Sequence, residues 1–266
     1  MFSELERDGK NVKISKKKTF SPDGIFKKET IVSVFTFAYQ MTFGGKGEHR
    51  DHRTGGKHRR QNGEIFANTF QGKLAECAAS NLFCSIFGII ILPDFSVHGL
   101  SVWDSQDLLV NGKKISIKSS KNYGNLLLLE TNDFDQSGRY LPTYNKGVES
   151  GKNDSGIYDF IIMIRIDPSC EKLFKESRIF YEDDIIADEL RRLYNQMCNM
   201  TWSYEYTGFI TLEDLKELIS SGKNVIHQGD ILNGTIFDAD NYYIQAGDLR
   251  ECKELENYLF DLRNNK

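Results

Sequence analysis

An acid and a lysine flank a predicted tight turn, and together they could act on a phosphate group. Asp107 begins one predicted strand, Lys118 lies in the next, and Asn111-Gly112 stands between them. Asn-Gly between apolar runs is a strong β-hairpin signal, because both residues tolerate the positive φ of a type I′ turn. Side chains alternate between the two faces of a strand, so Asp107, Ser116 and Lys118 are expected on one face.

The register of this hairpin depends on the length of its loop. The predicted strands run from Asp107 to Val110 and from Ile115 to Ser119. A two-residue loop pairs Asp107 with Ser116, whereas a four-residue loop pairs it with Lys118, and the sequence leaves both registers open. In either register the apolar side chains fill the opposite face and are expected in the core: Leu108, Val110, Ile115 and Ile117.

These residue types fit phosphoryl transfer from DNA. That reaction needs a divalent metal on hard oxygen ligands, an activated water and a positive charge near the attacked phosphate. Asp107 is the predicted metal ligand, Lys118 the cation that orients or deprotonates the water, and the Ile117 main-chain carbonyl a further ligand. One acid binds Mg²⁺ weakly, so a second carboxylate is expected. The candidates for it are Glu76, on a predicted core helix, and then Asp104 and Glu130.

A basic, glycine-rich segment lies between residues 44 and 60. Nine Lys, Arg or His residues and five glycines share its seventeen positions, which predicts a surface loop that cannot build a core. Such a loop could order on DNA phosphates. Its predicted DNA contacts are Arg50, Arg53, Lys57, Arg59 and Arg60.

Length and composition favour one large globular domain, or one with a small appendage. The chain has 266 residues, 39% of them hydrophobic, and a net charge of −4, with the basic residues concentrated in the first sixty positions. Five cysteines at scattered spacings, without a C-x-x-C pair, argue against zinc and favour reduced thiols. With no long apolar run and no apolar signal core, we expect a cytoplasmic protein that does not enter a membrane.

Hydrophobic periodicity predicts an α/β fold in which a mixed central β-sheet is flanked by helices. Residues 1–28 are expected to be a solvated arm, and residues 62–266 an α/β core that follows an N-terminal arm, helix and loop at 1–61. Predicted helices span residues 29–43, 62–87 (in two pieces), 182–200, 212–220 and 246–262. Predicted strands outside the hairpin span residues 89–92, 125–130, 158–166, 201–210 and 240–245.

The hairpin with its upstream helix resembles the PD-(D/E)xK nuclease superfamily, and within it the type II restriction endonucleases. The resemblance covers roughly residues 62–166. Its matching residues are Glu76, Asp107 and Ser116-Ile117-Lys118, with Ser116 where the family usually has an acid. Similar nucleases without the middle acid take a carboxylate from the upstream helix, which favours Glu76 as the second carboxylate of the metal site. The resemblance implies double-stranded DNA as substrate, Mg²⁺ as cofactor and a homodimer.

The residues after the second hairpin strand offer further contacts. Ser119, Ser120, Lys121 and Asn122 supply short polar donors and a cation, which suit phosphates or base edges, although an ordinary loop has the same composition.

The sequence therefore predicts a Mg²⁺-dependent, site-specific endonuclease whose catalytic set is Asp107, Lys118, Glu76 and Ser116. Two alternatives stay open: a structure-specific nuclease of DNA repair or recombination, and a binding protein that lost activity with the middle acid. An enzyme acting on a small molecule is the least favoured class, because the G-x-x-x-x-G-K-[ST], G-x-G-x-x-G and G-x-S-x-G motifs are missing.

Overall fold

The computed structural model describes residues 2–46, 59–96, 107–141 and 156–260. Its α-helices are α1 (Lys28–Met41), α2 (Asn62–Phe87), α3 (Cys170–Glu176), α4 (Ala187–Asn199), α5 (Leu212–Ser221) and α6 (Glu256–Leu259). Its strands are β1 (Glu6–Asp8), β2 (Asn11–Lys13), β3 (Gly24–Ile25), β4 (Leu108–Val110), β5 (Lys113–Lys121), β6 (Leu126–Glu130), β7 (Phe160–Asp167), β8 (Ser203–Thr211), β9 (Val225–Ile226), β10 (Ile231–Leu232), β11 (Thr235–Ile236) and β12 (Asn241–Gln245).

A five-stranded mixed sheet carries the predicted hairpin. Its strand order is β3-β8-β7-β5-β4, with β5 and β7 parallel and the other neighbours antiparallel. The central strand β7 is buried from Phe160 to Ile166, as expected of a continuous apolar run covered on both faces. The predicted α/β fold with a mixed sheet flanked by helices is confirmed.

Different layers cover the two faces of this sheet. On one face, Ile115 and Ile117 of β5 pack in a core cluster with residues of α1, α2, α3 and α4. On the other face, Ile161 and Met163 of β7 pack against α5 and against a three-stranded sheet, β6-β12-β9. Strand β5 therefore separates a helical layer from a second β-layer, and side chains on its two faces meet different surroundings.

Helix α2 is the main element of the helical layer. It runs without interruption for 26 residues, so the expected division into two pieces is wrong, and it ends where Gly88 adopts a left-handed conformation with φ 67°. Phe66 and Phe70 are fully buried on it, and Phe66 stacks on Phe174 of α3 with ring centroids 5.0 Å apart. The predicted helix at 29–43 is confirmed as α1, which packs on α2.

Four other predictions need correction. The continuous apolar run at 125–130 predicts a strand of the central sheet that is buried on both faces. It is instead an edge strand of the second sheet, with Leu128 exposed. Residues 89–92 form no strand. The last predicted helix is replaced by short 3₁₀ turns and the four-residue α6, and the predicted helix at 182–200 begins only at Ala187.

The N-terminal segment is not a solvated arm. Strands β1 and β2 form an antiparallel hairpin, and β2 pairs with β10 in a four-stranded sheet. Leu5 and Val12 are buried against Tyr243 of β12. The segment is therefore part of the folded structure, because pairing partners more than 200 residues away order it.

Two glycines of α2 give a paired test of how closely this helix is packed. A Cβ at Gly63 would lie 1.8 Å from the carbonyl oxygen of Ile179, whereas a Cβ at Gly72 would meet open space. Gly63→Ala should lower the free energy of unfolding by roughly 1–3 kcal/mol, the usual cost of overpacking. Gly72→Ala should raise it by about 0.5–1 kcal/mol through helix propensity. Equilibrium urea denaturation of both variants checks this, and an equal effect of the two would contradict the packing.

Within the ranges described, no helix is both long enough and apolar enough to cross a membrane.

Candidate active site and neighbouring cleft

The hairpin forms with the two-residue loop. Asn111 and Gly112 have φ of 49° and 75°, as a type I′ turn requires. Leu108 pairs with Ile115. Continuing the same antiparallel register by one residue places Asp107 opposite Ser116. Of the two registers that the sequence left open, this is the shorter one, and the four predicted core side chains are all buried: Leu108, Val110, Ile115 and Ile117.

The carboxylate of Asp107 is fixed by strand β5. Its Oδ2 accepts hydrogen bonds from the Ile117 main-chain N–H at 2.5 Å and from the Ser116 hydroxyl at 3.2 Å. Ser116 is only 2% exposed, whereas Asp107 is exposed. The other oxygen, Oδ1, has no hydrogen-bond partner among the described residues. Ser116 therefore orients Asp107 and leaves one carboxylate oxygen available at the surface.

The main-chain carbonyl of Ile117 lies at the same edge of β5. Within a strand, the N–H and C=O of one residue point to the same side, and the N–H of Ile117 points to Asp107. Strand β4 pairs only with the residues from Lys113 to Ile115, so its ladder does not occupy this carbonyl. A carboxylate oxygen and a carbonyl oxygen are hard ligands that suit Mg²⁺. These two oxygens are thus of the type that Mg²⁺ prefers, and the magnesium site stays a prediction.

Lys118 lies on the face of β5 that carries Ser116. It stands opposite Met163 of β7, and Met163 packs in the cluster under the second sheet. Its side chain is half-buried and makes no hydrogen bond or ion pair with another described residue. The predicted common face of Asp107, Ser116 and Lys118 is thus present, and Lys118 carries a charge with no structural partner in the described part of the chain.

Glu76 lies in the helical layer. Its carboxylate accepts from Lys73 Nζ at 2.5 Å, and the same ammonium donates to the Asp94 carbonyl at 2.8 Å and lies 4.8 Å from the Phe37 ring centroid. Helix α2 packs on the Ile115 and Ile117 face of β5, the face opposite to Lys118. The role of Glu76 as second metal ligand stays a prediction.

The other predicted acids and the basic loop lie partly outside the described residues. Asp104, Arg50, Arg53 and Lys57 lie outside the described residues. Glu130 ends β6, where the alternation of the strand turns it away from the side of Leu127 and Leu129 that meets the central sheet. Arg59 is exposed and Arg60 half-buried just before α2. No group of three or more His, Cys, Asp or Glu that could hold a metal occurs in the ranges the structure covers.

A cleft of about 670 Å³ opens at the carboxyl end of β5. Three of the predicted DNA-contact residues line it: Ser119, Ser120 and Lys121. Asn122 lines an adjoining cavity of about 390 Å³, where its amide donates to Asp167 at 2.6 Å. The lining of the cleft therefore includes Ser119, the residue that follows Lys118 on the strand.

Lys121 is held by an acid across this cleft. Its Nζ lies 2.6 Å from a carboxylate oxygen of Glu171, whose other oxygen accepts from Lys175 at 2.7 Å. Burial alone would raise the pKa of Glu171, but the hydrogen bonds from Lys121 and Lys175 outweigh it and hold that pKa below its usual value. Glu171 is therefore ionised at neutral pH and neutralises the cation of the cleft.

Sequence reasoning missed the cleft residues that come from distant elements. Asn68 and Gln71 belong to α2, and Asn233 belongs to the turn between β10 and β11. Only Asn233 had a usable signal in the sequence. Asn233-Gly234 is a second Asn-Gly pair, with φ of 51° and 81°, and it forms a hairpin in a region where neither a helix nor a strand is predicted. The helix residues carried no signal, because tertiary packing alone brings them to β5.

Comparison with known proteins adds no assignment: no family model matches the chain, and no curated protein or solved structure matches it either. The resemblance to PD-(D/E)xK nucleases therefore depends on the hairpin residues and stays a prediction.

Proposed function

We propose that this protein is a Mg²⁺-dependent endonuclease that cleaves double-stranded DNA at a specific sequence, as type II restriction enzymes do. The observation that supports it best is the arrangement at the edge of β5. There, Asp107 is oriented by Ser116 and by the Ile117 N–H, and Lys118 lies on the same face. Metal-assisted phosphodiester hydrolysis needs an anchored carboxylate, a nearby carbonyl and an ammonium group. Within the described ranges, one oxygen of that carboxylate and the ammonium have no other partner.

Each residue has a distinct task in the proposed reaction. Asp107 and the Ile117 carbonyl would hold Mg²⁺, with Glu76 as the second carboxylate. When bound, the ion supplies Lewis-acid stabilisation of the phosphate and lowers the pKa of a water. Lys118 orients the attacking water and stabilises the negative charge that develops on the phosphate. Attack at phosphorus breaks the P–O3′ bond and leaves a 5′-phosphate and a 3′-hydroxyl.

Ser116 does not prevent this chemistry. A serine in place of the middle acid removes one negative charge, but its hydroxyl donates to Asp107 and fixes the remaining carboxylate. We therefore assign Ser116 a positioning role. Glu76 would supply the negative charge that the middle acid carries in similar nucleases. DNA contacts would come from the cleft after β5 and from the basic segment that includes Arg59 and Arg60, with two copies of the chain on a palindrome.

A digest of phage DNA with Mg²⁺ tests the proposed function and its alternatives. Discrete fragments with a common end sequence are expected. A smear, or cleavage only of branched or mismatched DNA, would instead favour a structure-specific repair nuclease. Tight DNA binding without cleavage at any Mg²⁺ concentration would favour the inactive binding protein and contradict the proposal.

Glu76→Gln tests the second carboxylate. If Glu76 holds the metal, the Mg²⁺ concentration for half-maximal cleavage should rise by roughly 10-fold or more, since metal affinity falls with ligand charge. Lys73→Gln is the matched control, because it removes the ion pair of Glu76 but keeps the carboxylate. An equal shift in both variants would show that Glu76 acts only through its ion pair.

Glu171→Gln tests whether Lys121 contacts DNA. The variant frees Lys121 from a carboxylate at 2.6 Å and removes a charge that repels phosphate. DNA affinity should rise by about fivefold at low salt, equivalent to about 1 kcal/mol, and the salt dependence should steepen by about one released counterion. Glu176→Gln, on the same helix but paired with Lys172, is the control. Unchanged affinity measured by fluorescence anisotropy would remove Lys121 from the interface.

A further inference from the structure

The cleft at the carboxyl end of β5 has the size of a small-molecule site. Its volume of about 670 Å³ lies within the range of roughly 300–1,000 Å³ that is usual for ligand pockets. Its walls come from β5 with the following turn, from α2, and from the β10–β11 hairpin. A volume of this size accommodates a group as large as one nucleotide.

Carboxamides line the interior of this cleft. The side-chain amides of Asn68 and Asn233 make no hydrogen bond with another described residue, and the Gln71 amide donates to the Ser119 hydroxyl only at 3.5 Å. A carboxamide presents a donor and an acceptor side by side, which matches the edge of a nucleobase. Asn68 and Gln71 are half-buried and Asn233 is exposed. With at most one long hydrogen bond to another described side chain, these amides can bind a planar heterocycle.

An exposed aromatic ring stands where the cleft meets the adjoining cavity. Tyr123 is 64% exposed and lines both cavities. Large aromatic residues are usually buried, whereas an exposed ring beside a polar cleft offers a stacking surface that any base can use. The ring therefore supplies the apolar contact that the amides lack.

The adjoining cavity offers a cation for a phosphate. Lys17 lines it, is exposed, and has no ion pair with a described residue. By contrast, the Lys121 charge in the larger cavity is neutralised by Glu171. The two cavities thus differ in character, with amides and a neutralised cation in one and an unpaired cation in the other.

We propose that the cleft binds one nucleotide, with its base stacked on Tyr123 against the amides of Asn68 and Gln71, and its phosphate beside Lys17. The nucleotide is either free or an unpaired nucleotide of a DNA strand. Binding of a nucleotide that belongs to a DNA strand rests on the proposed function, whereas binding of a free nucleotide does not.

Calorimetric titration of the full chain without Mg²⁺ tests the site. At least one of the four deoxynucleoside 5′-monophosphates should bind more tightly than deoxyribose 5-phosphate, which lacks the base. Tyr123→Ala should weaken that binding by roughly 5- to 150-fold, the usual effect of losing one base–aromatic stack, and Tyr123→Phe should retain it. Tyr181→Ala is the matched control, since Tyr181 is 61% exposed and lies outside both cavities.

A second titration identifies the source of the nucleotide. A duplex with one unpaired nucleotide should bind more tightly than the fully paired duplex if the ligand belongs to a strand, and Tyr123→Ala should remove that preference. Monophosphate binding without such a preference assigns the site to a free nucleotide.

The proposal is overturned if no monophosphate binds better than deoxyribose 5-phosphate, or if Tyr123→Ala binds as well as the wild type. Because neither titration depends on cleavage, this result is independent of whether the protein cuts DNA.

Discussion

Lys118→Ala is expected to reduce the rate of DNA cleavage by roughly 10²–10⁴-fold, the contribution typical of a positioned acid–base group. The physical reason is that Lys118 carries an ammonium with no partner among the described residues, on the face of β5 that also carries Ser116. Its removal takes away the charge proposed to orient the water and to stabilise the attacked phosphate. DNA affinity should stay nearly unchanged, because the proposed binding surfaces lie in the cleft and the basic segment.

Lys114→Ala is the control for this variant. Lys114 lies on the same strand, on the same face by the alternation of side chains, and is also half-buried. A general loss of positive charge or of strand stability would affect both variants, whereas the proposed chemistry needs only Lys118. Single-turnover cleavage at saturating enzyme separates the rate from binding, and equal rates for Lys118→Ala and the wild type would remove Lys118 from the active site.

Asp107→Asn is expected to reduce cleavage by roughly 10³-fold or more, because metal assistance contributes several kcal/mol to phosphoryl transfer. The asparagine oxygen can still accept from the Ile117 N–H and from Ser116, so the hairpin should fold as before. What is lost is the negative charge that holds Mg²⁺. Excess Mg²⁺ should therefore restore part of the activity, and circular dichroism should show an unchanged fold.

Asp107→Ala distinguishes the chemical role of Asp107 from its structural one. The alanine also leaves the Ile117 N–H without its acceptor, which should cost about 1–3 kcal/mol of stability in addition to the loss of cleavage. Asp184→Asn, at an exposed acid before α4, is the control for a general charge effect. Cleavage by Asp107→Asn at the rate of Asp184→Asn would contradict the assignment.

The hairpin could be predicted from sequence because its determinants are local. Asn111-Gly112 fixes the turn, and the alternation of Leu108, Val110 and Ile115 fixes which face is buried. The pairing register of β4 and β5 then follows from the length of the loop between them, which is two residues. The strands and helices with strong periodicity, such as β7 and α2, could be predicted for the same reason.

The non-local parts of the fold could not be predicted. An apolar run such as Leu126–Leu129 has the same composition in a central strand and in a strand that packs on a second layer. Strands β1 and β2 are three residues long and mostly polar. They are ordered by distant partners, because β2 pairs with β10 and Val12 is buried against Tyr243. The cleft could not be predicted for the same reason, since α2 and the β10–β11 turn reach β5 only through tertiary contacts.

The most direct test is to incubate wild type and Lys118→Ala in parallel with plasmid DNA over a Mg²⁺ titration and to sequence the ends formed. We expect discrete, Mg²⁺-dependent fragments with 5′-phosphates for the wild type, and intact plasmid for Lys118→Ala under the same conditions. The proposed function is contradicted if the plasmid stays intact at every Mg²⁺ concentration although the wild type is folded and binds DNA. Equal cutting by both proteins would contradict the role of Lys118.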